Sequence, residues 1–247
     1  MFRTLKHLST ALVLFYFLAA LAFAGPPYLT DDPDPVDTGH WEAIVNSQMD
    51  YNLHTLNLDA PALDLNYGAF PDTQLHLGAA MTTLAPQHGP TETGFGDLEL
   101  GVKYRFVRET NWWPELAIYP AIELPTGDAS RGLGNGRVWF RMPLWLEKNF
   151  GDWTTYGGAG VIVNTAPGER DYAFGGCMLQ RNLGKRFTLG GEIFAQGRAD
   201  AIYRGYVAMN LGGTIMFTEH ISLIGSAGHT VSGGQHTLGY LGLDFTW

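Results

Sequence analysis

Residues His236 to Trp247, HTLGYLGLDFTW, decide the fold class. From Leu241 onward the odd positions are Leu241, Leu243, Phe245 and Trp247, whereas the even positions are glycine, aspartate and threonine. Successive side chains leave a β-strand on opposite sides, so this period of two predicts a strand with one apolar and one polar face. Such a strand promotes aggregation unless its apolar face and its free edge are both covered. A closed barrel in a lipid bilayer covers both, because lipid solvates the outer face and closure pairs the edge.

The same alternation recurs along most of the chain. The clearest case is GFGDLELGVKYRF at 94–106, where Leu98, Leu100 and Val102 lie on one face while Glu99 and Lys103 lie on the other. A soluble β-sandwich would bury the apolar row against a second sheet, so this strand fits a sandwich and a barrel equally well. No run of about eighteen apolar residues follows the N-terminal segment, which argues against transmembrane helices.

The links between strands favour the barrel. Short links at 71–72, 149–152, 182–185 and 218–220 alternate mostly with longer ones at 53–60, 84–95, 126–137 and 165–171, although the links at 198–201 and 232–235 are short. Outer-membrane barrels combine tight periplasmic turns with longer external loops. We therefore predict an all-β fold, a transmembrane antiparallel up-and-down β-barrel of about twelve strands. The predicted strands are 40–53, 60–70, 72–83, 95–107, 114–125, 137–148, 152–164, 171–181, 185–197, 202–217, 219–230 and 236–247.

Three segments make up the predicted organisation. Residues 1–24 have the pattern of a cleaved signal peptide, with Arg3 and Lys6 before an apolar run and Ala22-Phe23-Ala24 at its end. Residues 25–39 form a Pro/Asp-rich periplasmic arm, and residues 40–247 form the barrel. Without Arg3 and Lys6, 13 basic residues remain against 24 acidic ones. This acidic balance disfavours nucleic acid as a partner.

Four carboxylates are concentrated in the arm, at Asp31, Asp32, Asp34 and Asp37. The proline density of this segment blocks both helix and central strand. The arm could plug the lumen, or its carboxylates could bind a divalent cation. We expect a solvated periplasmic leader, and the sequence leaves the role of the four aspartates open.

The polar face of each strand is predicted to line the lumen. The lumen-lining candidates are Glu42, Asp64, His76, Asp97, Glu99, Lys103, Arg105, Glu115, Glu123, Arg137, Arg141, Glu147, Glu192, Arg204 and Asp244. Charges of both signs fit either a narrow channel with paired charges or a closed, salt-bridged plug. The facing of 172–181 is not assigned, because that segment alternates poorly.

Aromatic residues near strand ends favour the membrane interface, where one edge of the ring stays wet. The predicted interface residues are Trp41, Trp112, Trp113, Trp153, Phe245 and Trp247. Repetition along the chain suggests two girdles. Asp244 is predicted to point into the barrel, whereas Phe245 and Trp247 face lipid.

Hydrolytic chemistry would need a serine activated by a histidine. The nearest candidates are Ser222 and Ser226 with His220, His229 and His236, but no G-x-S-x-G motif is present. The histidine spacing matches no metal-ligand motif. We expect no enzyme activity, no metal and no cofactor, and a barrel lipase or esterase is kept as an alternative.

Two resemblances add to this interpretation. The 236–247 strand resembles the C-terminal signal of outer-membrane barrels, with Trp247 where phenylalanine is usual, which implies contact with the outer-membrane assembly machinery. Three further stretches, TDDPDP at 30–35, ELPTGD at 123–128 with GLGNG at 132–136, and GDLELGVKYRF at 96–106, resemble an outer-membrane family named for the meta pathway of phenol degradation. That resemblance implies a barrel that passes hydrophobic or aromatic small molecules.

The sequence thus predicts a channel or transporter for small solutes in the outer membrane of a Gram-negative bacterium, with both termini periplasmic and lipid as its surroundings. A structural or adhesion barrel with a sealed lumen is the alternative from another class. Solute identity and oligomeric state are not encoded in any motif.

Overall fold

A computed structural model describes residues 27–52, 54–200 and 204–247. The predicted signal peptide, residues 1–24, lies outside these ranges. Twelve antiparallel strands make up the described barrel. They are β1 Trp41–Asn52, β2 Thr55–Phe70, β3 Thr73–Pro86, β4 Glu92–Phe95 and Leu98–Val107, β5 Glu115–Ile118 and Ala121–Leu124, β6 Trp139–Phe150, β7 Trp153–Asn164, β8 Tyr172–Asn182, β9 Phe187–Gln196, β10 Tyr206–Met216, β11 Ile221–Gly233 and β12 His236–Thr246.

Each strand pairs with its neighbours in sequence, and the sheet closes on itself. β1 pairs antiparallel with β12 in a register that places Ala43 opposite Phe245. Beyond that ladder, the amide of Trp41 donates to the carbonyl of Trp247 at 2.9 Å, and the amide of Trp247 donates back at 3.0 Å. β4 and β5 each consist of two segments in line. Both segments of β4 pair with β3, both segments of β5 pair with β6, and Leu98–Val107 of β4 pairs with both segments of β5. The predicted closed up-and-down barrel of twelve strands is confirmed.

One predicted loop is part of a strand. β2 begins at Thr55, so most of 53–60 pairs with β1 and β3, as in Leu56 opposite Tyr51 and Thr55 opposite Pro86. The turn before it is tight, because the side chain of Asn52 accepts hydrogen bonds from the amides of His54 and Thr55. The polar residues of this segment suggested a loop, but they alternate with apolar residues as a strand requires.

The two faces of the sheet differ as the alternation predicts. Large apolar side chains such as Leu100, Val102 and Leu241 stand exposed on the outside, whereas polar side chains are buried inside. The outer surface is thus an apolar band of the kind that hydrocarbon solvates. Among the described residues, no helix is long and apolar enough to cross a membrane.

The facing of β8 is now assigned. Phe174, Met178 and Gln180 are buried inside, whereas Cys177 and Leu179 are exposed on the outside. The alternation is weak in sequence because apolar residues occupy both faces and glycines stand at 175 and 176.

An aromatic cluster fills part of the interior. The rings of Trp145 and Phe174 are 6.1 Å apart, those of Phe174 and Phe194 are 6.3 Å apart, and Tyr206 follows at 6.5 Å from Phe194. Trp139 packs against the same cluster. These rings come from β6, β8, β9 and β10, so this side of the barrel is a packed core and the open space lies elsewhere.

Candidate functional site in the lumen

The described part of the N-terminal arm, residues 27–39, runs into the barrel. Thr30 and Asp32 are completely buried. The amides of Leu29 and Thr30 both donate to the carboxylate of Glu192 on β9, the first at 3.2 Å. The hydroxyl of Ser226 on β11 donates to the carbonyl of Pro27. The expectation of a solvated leader is therefore wrong, and the alternative of a lumen plug describes the structure, because the buried arm finds partners on the barrel wall.

Lys103 on β4 holds the acidic part of the arm. Its ammonium lies 3.2 Å from the carboxylate of Asp31 and 3.4 Å from that of Asp32. It also faces the ring of Tyr119, with 5.4 Å between the ammonium and the ring centroid. Lys103 is only 4% exposed. A buried ammonium is stable only with such partners, so the arm and Lys103 depend on each other.

A second contact between the arm and the barrel wall lies nearer to the end of the barrel where β1 begins and β12 ends. Arg105 pairs with Asp34 of the arm, with Glu115 at 3.2 Å and with Asp72 at 2.8 Å. The amide of Val36 donates to the side chain of Gln74 on β3 at 2.9 Å. The arm therefore contacts β3, β4, β9 and β11. We call the end of the barrel that carries Trp41 and Trp247 the terminal end, and the opposite one the loop end.

A continuous cavity of about 1800 Å³ runs beside the arm. Its lining includes Trp41 and Trp247 at the terminal end and Leu133 and Asn135 at the loop end. Between these mouths, the wall residues come chiefly from β1 to β5 and from β10 to β12. The arm and the aromatic cluster fill the other side, so the open space is off-centre.

The loop between β5 and β6 folds over the loop end. Asp97 anchors it by accepting hydrogen bonds from the amides of Gly127 at 2.8 Å and Asn135 at 2.6 Å. Leu133, between these two residues, is buried. A Cβ atom on Gly134 would fall 2.3 Å from the Asp97 carboxylate, so a larger residue there would displace this anchor. The glycine-rich stretch thus narrows one mouth of the cavity.

Most predicted lumen residues do face the interior. The cavity is lined by Glu42, Asp64, His76, Asp97, Glu99, Lys103, Glu123, Arg141 and Asp244. Glu147 and Glu192 are buried inside, and Arg105 and Glu115 form the ion pair near the terminal end.

Two residues that were predicted to line the lumen lie outside the strands. Arg137 and Arg204 are exposed in the connections that precede β6 and β10. The prediction failed because the strands begin at Trp139 and Tyr206, and the alternation of side chains applies only within a strand.

Neutral amides complete the inner network and were missed. Asn46 donates to Asp64 and Asn66 donates to Glu42, both at 2.7 Å. Asn66 also contacts the ring of His76, whose other nitrogen lies 3.3 Å from Glu99. Glu99 in turn pairs with Arg141. The sequence did contain a sign of them. Asn46 and Asn66 are at even-numbered positions, like the charged residues around them, so they lie on the same face of their strands.

The six predicted interface aromatics all lie at the terminal end. Trp41 stacks on Tyr67 with 4.4 Å between centroids and on Trp247 with 6.5 Å. Trp112 and Trp113 are in the turn between β4 and β5, Trp153 opens β7, and Phe245 lies one residue before the end of β12. The exposed aromatic residues at the loop end, which were not among the six, include Tyr51, Phe95 and Phe140.

The serines considered for hydrolysis have other partners. Ser222 donates to Asp244 at 3.0 Å, and Ser226 donates to the arm. His229 contacts Thr237, and His236 lies 2.8 Å from Asp50. Within 27–52, 54–200 and 204–247, no hydrogen bond joins either serine to a histidine, and no three histidine, cysteine or acidic side chains are placed to hold a metal ion.

Comparison with known proteins extends the fold assignment. No protein-family model and no curated protein sequence matches the chain. A solved outer membrane channel from Pseudomonas putida F1 is similar in structure, with a TM-score of 0.71 and 13% identity over 87% of this chain and 98% of that one. The NanC porin has a TM-score of 0.59 and 8% identity over 82% and 98%. The translocator domain of the autotransporter NalP from Neisseria meningitidis has a TM-score of 0.57 and 11% identity over 85% and 89%. The chain therefore has the fold of bacterial outer membrane barrels.

Proposed function

We propose that this protein is an outer membrane channel that passes small solutes through the cavity beside the arm. The observation that carries the proposal is the cavity itself, whose lining extends from Trp247 at one mouth to Asn135 at the other. A lumen of twelve strands is wider than that of a filled eight-stranded barrel. The similarity to a channel and a porin supports the same role.

Ion conductance of the purified protein in planar bilayers tests the proposal. We expect discrete current steps, and we expect Thr214→Trp to reduce their size because Thr214 lines the cavity. Ile215→Trp is the matched control, since Ile215 lies on the outer face of the same strand. A folded protein that carries no current and takes up no solute would support the sealed structural or adhesion barrel instead.

The solute class is the finer part of the proposal. The resemblance to the family named for phenol degradation favours aromatic solutes, and Tyr119, Tyr206 and Tyr240 border the cavity. Benzyl alcohol should interrupt the ion current at lower concentration than propanediol does. Equal effects of the two alcohols would count against an aromatic preference.

We also propose that the terminal end faces the periplasm, after removal of residues 1–24 and insertion through β12 by the assembly machinery. Short turns at this end support the orientation. An epitope inserted at Gly168, at the loop end, should bind antibody on intact cells. The same epitope at Asp152, at the terminal end, should bind only after the outer membrane is permeabilised.

Enzymatic hydrolysis is not part of the proposal, because Ser222 and Ser226 are engaged with Asp244 and Pro27. Ser222→Ala and Ser226→Ala should leave any ester hydrolysis by the preparation unchanged. A loss of hydrolysis in either variant would restore the lipase alternative.

A further inference from the structure

The lining of the cavity is strongly acidic. Fourteen of the residues that line it carry a carboxylate, whereas four carry a lysine or arginine side chain. A lumen with mixed charges was expected from the sequence, and the structure shows that the mixture is unequal on the open side. Lumenal charge of one sign attracts counter-ions and repels ions of the same sign.

The positive charges of the pathway do not offset this excess. Lys103 is neutralised by Asp31 and Asp32 of the arm, and Arg141 is neutralised by Glu99. The remaining two, Lys185 and Arg186, are exposed in a turn at the terminal mouth. In the middle of the pathway, the lysine and arginine side chains are therefore already paired with carboxylates, and further carboxylates are present in addition to these pairs.

Three of these additional carboxylates share one patch of wall. Ile44 on β1 lies opposite Asp244 on β12 and opposite Asp64 on β2, so the two aspartates occupy one row across three strands. Glu42 lies two residues along β1 from Ile44, on the same inner face. Adjacent strands are about 4.8 Å apart, which places the backbones of the two aspartates roughly 10 Å from each other. We call Glu42, Asp64 and Asp244 the carboxylate triad.

The hydrogen bonds that the triad accepts from described residues all come from neutral groups. Asn66 donates to Glu42, Asn46 donates to Asp64, and Ser222 donates to Asp244. Asp244 is only 5% exposed, and among the described residues its second carboxylate oxygen has no hydrogen-bond partner. Because the side chain of Asp244 lines the cavity, this buried oxygen is an acceptor without a partner in the wall of the pathway. Buried acceptors in proteins almost always have a hydrogen-bond partner, so an acceptor without one favours interaction with a passing solute.

We propose that the pathway selects cations over anions and that the carboxylate triad is its selectivity site. The inference rests on the proposed channel function and names the charge class of its solutes. The triad spans too wide a patch to enclose a bare metal ion, which agrees with the absence of a metal-holding group in the described parts of the chain. Hydrated monovalent cations and small organic ammonium ions fit such a wall, because they exchange water for one or two carboxylates at a time.

The test is the reversal potential of the full-length protein in planar bilayers under a potassium chloride gradient at pH 7. We expect a severalfold permeability preference for potassium over chloride. The triple variant Glu42→Gln, Asp64→Asn, Asp244→Asn should lose most of this preference. The control Asp128→Asn, Asp152→Asn removes carboxylates outside the barrel wall and should keep it. A difference in gel mobility between the unheated sample and the heat-unfolded sample confirms that each variant is folded.

The outcomes separate the two proposals. No current from folded protein would overturn both the channel and its selectivity. A current without cation preference would overturn the selectivity alone and leave the channel standing. A cation preference that survives in the triple variant would overturn the assignment to the triad.

Discussion

The ammonium of Lys103 on β4 lies 3.4 Å from the carboxylate of Asp32 in the arm, and both side chains are withdrawn from solvent. Removing one partner of a buried ion pair leaves an uncompensated charge and costs about 3–5 kcal/mol. We therefore expect Lys103→Met to release the arm from the wall and to widen the pathway.

Thiol labelling measures this release independently of current. Thr30→Cys in a Cys177→Ser background places a cysteine at a completely buried position of the arm. A water-soluble maleimide should label it slowly in the parent protein and much faster with Lys103→Met, and conductance should rise. Arg131→Met is the matched control, because Arg131 pairs with Glu92 at the loop end, at 2.7 Å, and has no hydrogen bond or ion pair with the arm within the described contacts. Unchanged labelling would show that Lys103 does not hold the arm.

Asp97 gives a prediction for the opposite mouth. Its carboxylate accepts two backbone hydrogen bonds from the loop that carries Leu133. Hydrogen bonds to a charged group contribute about 1.5–3 kcal/mol each. Asp97→Ala should therefore free the loop, raise conductance and expose the 126–137 segment to protease.

A matched variant tests whether the anchor is specific. Asp128→Ala removes a carboxylate from the same loop whose hydrogen bonds, with Ser130 and with the amide of Arg131, stay within that loop. It should leave conductance as in the parent. Equal effects of the two variants would mean that Asp97 does not determine the loop position.

Sequence reasoning was sufficient where one local rule applies. The alternation of Leu241, Leu243 and Phe245 around Asp244 fixes both the strand and its facing, because the side-chain period is set by the backbone. Closure with β1 follows from the need to pair the edge. The strand ends were less accurate, as Arg137 and Arg204 show, because a link and a strand can contain the same residue types.

The arm was beyond such local rules. Asp31 and Asp32 meet Lys103 across more than sixty intervening residues, and nothing near the aspartates indicates this partner. The parity of Lys103 predicted an inward side chain but not the group it would bind. Proline in the arm excludes pairing in the sheet, but it does not distinguish the solvated leader that we expected from a plug.

The outer face of β12 supplies a test of the lipid environment. Leu241 is exposed, faces outward and lies opposite Ser47 on β1 and Gly225 on β11. An arginine on the lipid face of a barrel costs about 2–4 kcal/mol near the bilayer midplane. Leu241→Arg should lower the stability in vesicles by this amount, as measured by urea unfolding followed by tryptophan fluorescence.

The control uses the adjacent row on the inner face. Gln48, opposite Tyr240, lines the cavity and does not face lipid, so Gln48→Arg should change stability much less. If the two arginine variants were equally stable, the outer face of β12 would not be in contact with hydrocarbon.

The turn between β2 and β3 gives a pH-dependent prediction. Asp72 adopts a left-handed backbone conformation with φ of 59° and accepts hydrogen bonds from Arg108 and Arg105. The bond from Arg108, with a smaller contribution from Arg105, holds the pKa of Asp72 below its usual value despite partial burial. A carboxylate whose pKa is lower when folded adds stability above its unfolded pKa of about 3.9, and that stability is lost as the pH falls through the folded pKa.

Asp72→Asn isolates this charge, because asparagine also tolerates the left-handed conformation. The parent protein should be more stable than Asp72→Asn at pH 7, and the difference should shrink as the pH falls below about 4, where the carboxylate becomes protonated. Asp72→Ala should be the less stable variant at every pH, since alanine disfavours a positive φ. Urea unfolding in vesicles between pH 7 and pH 3 measures all three proteins. A difference between parent and Asp72→Asn that stays constant over this range would mean that the ionised carboxylate does not stabilise the turn.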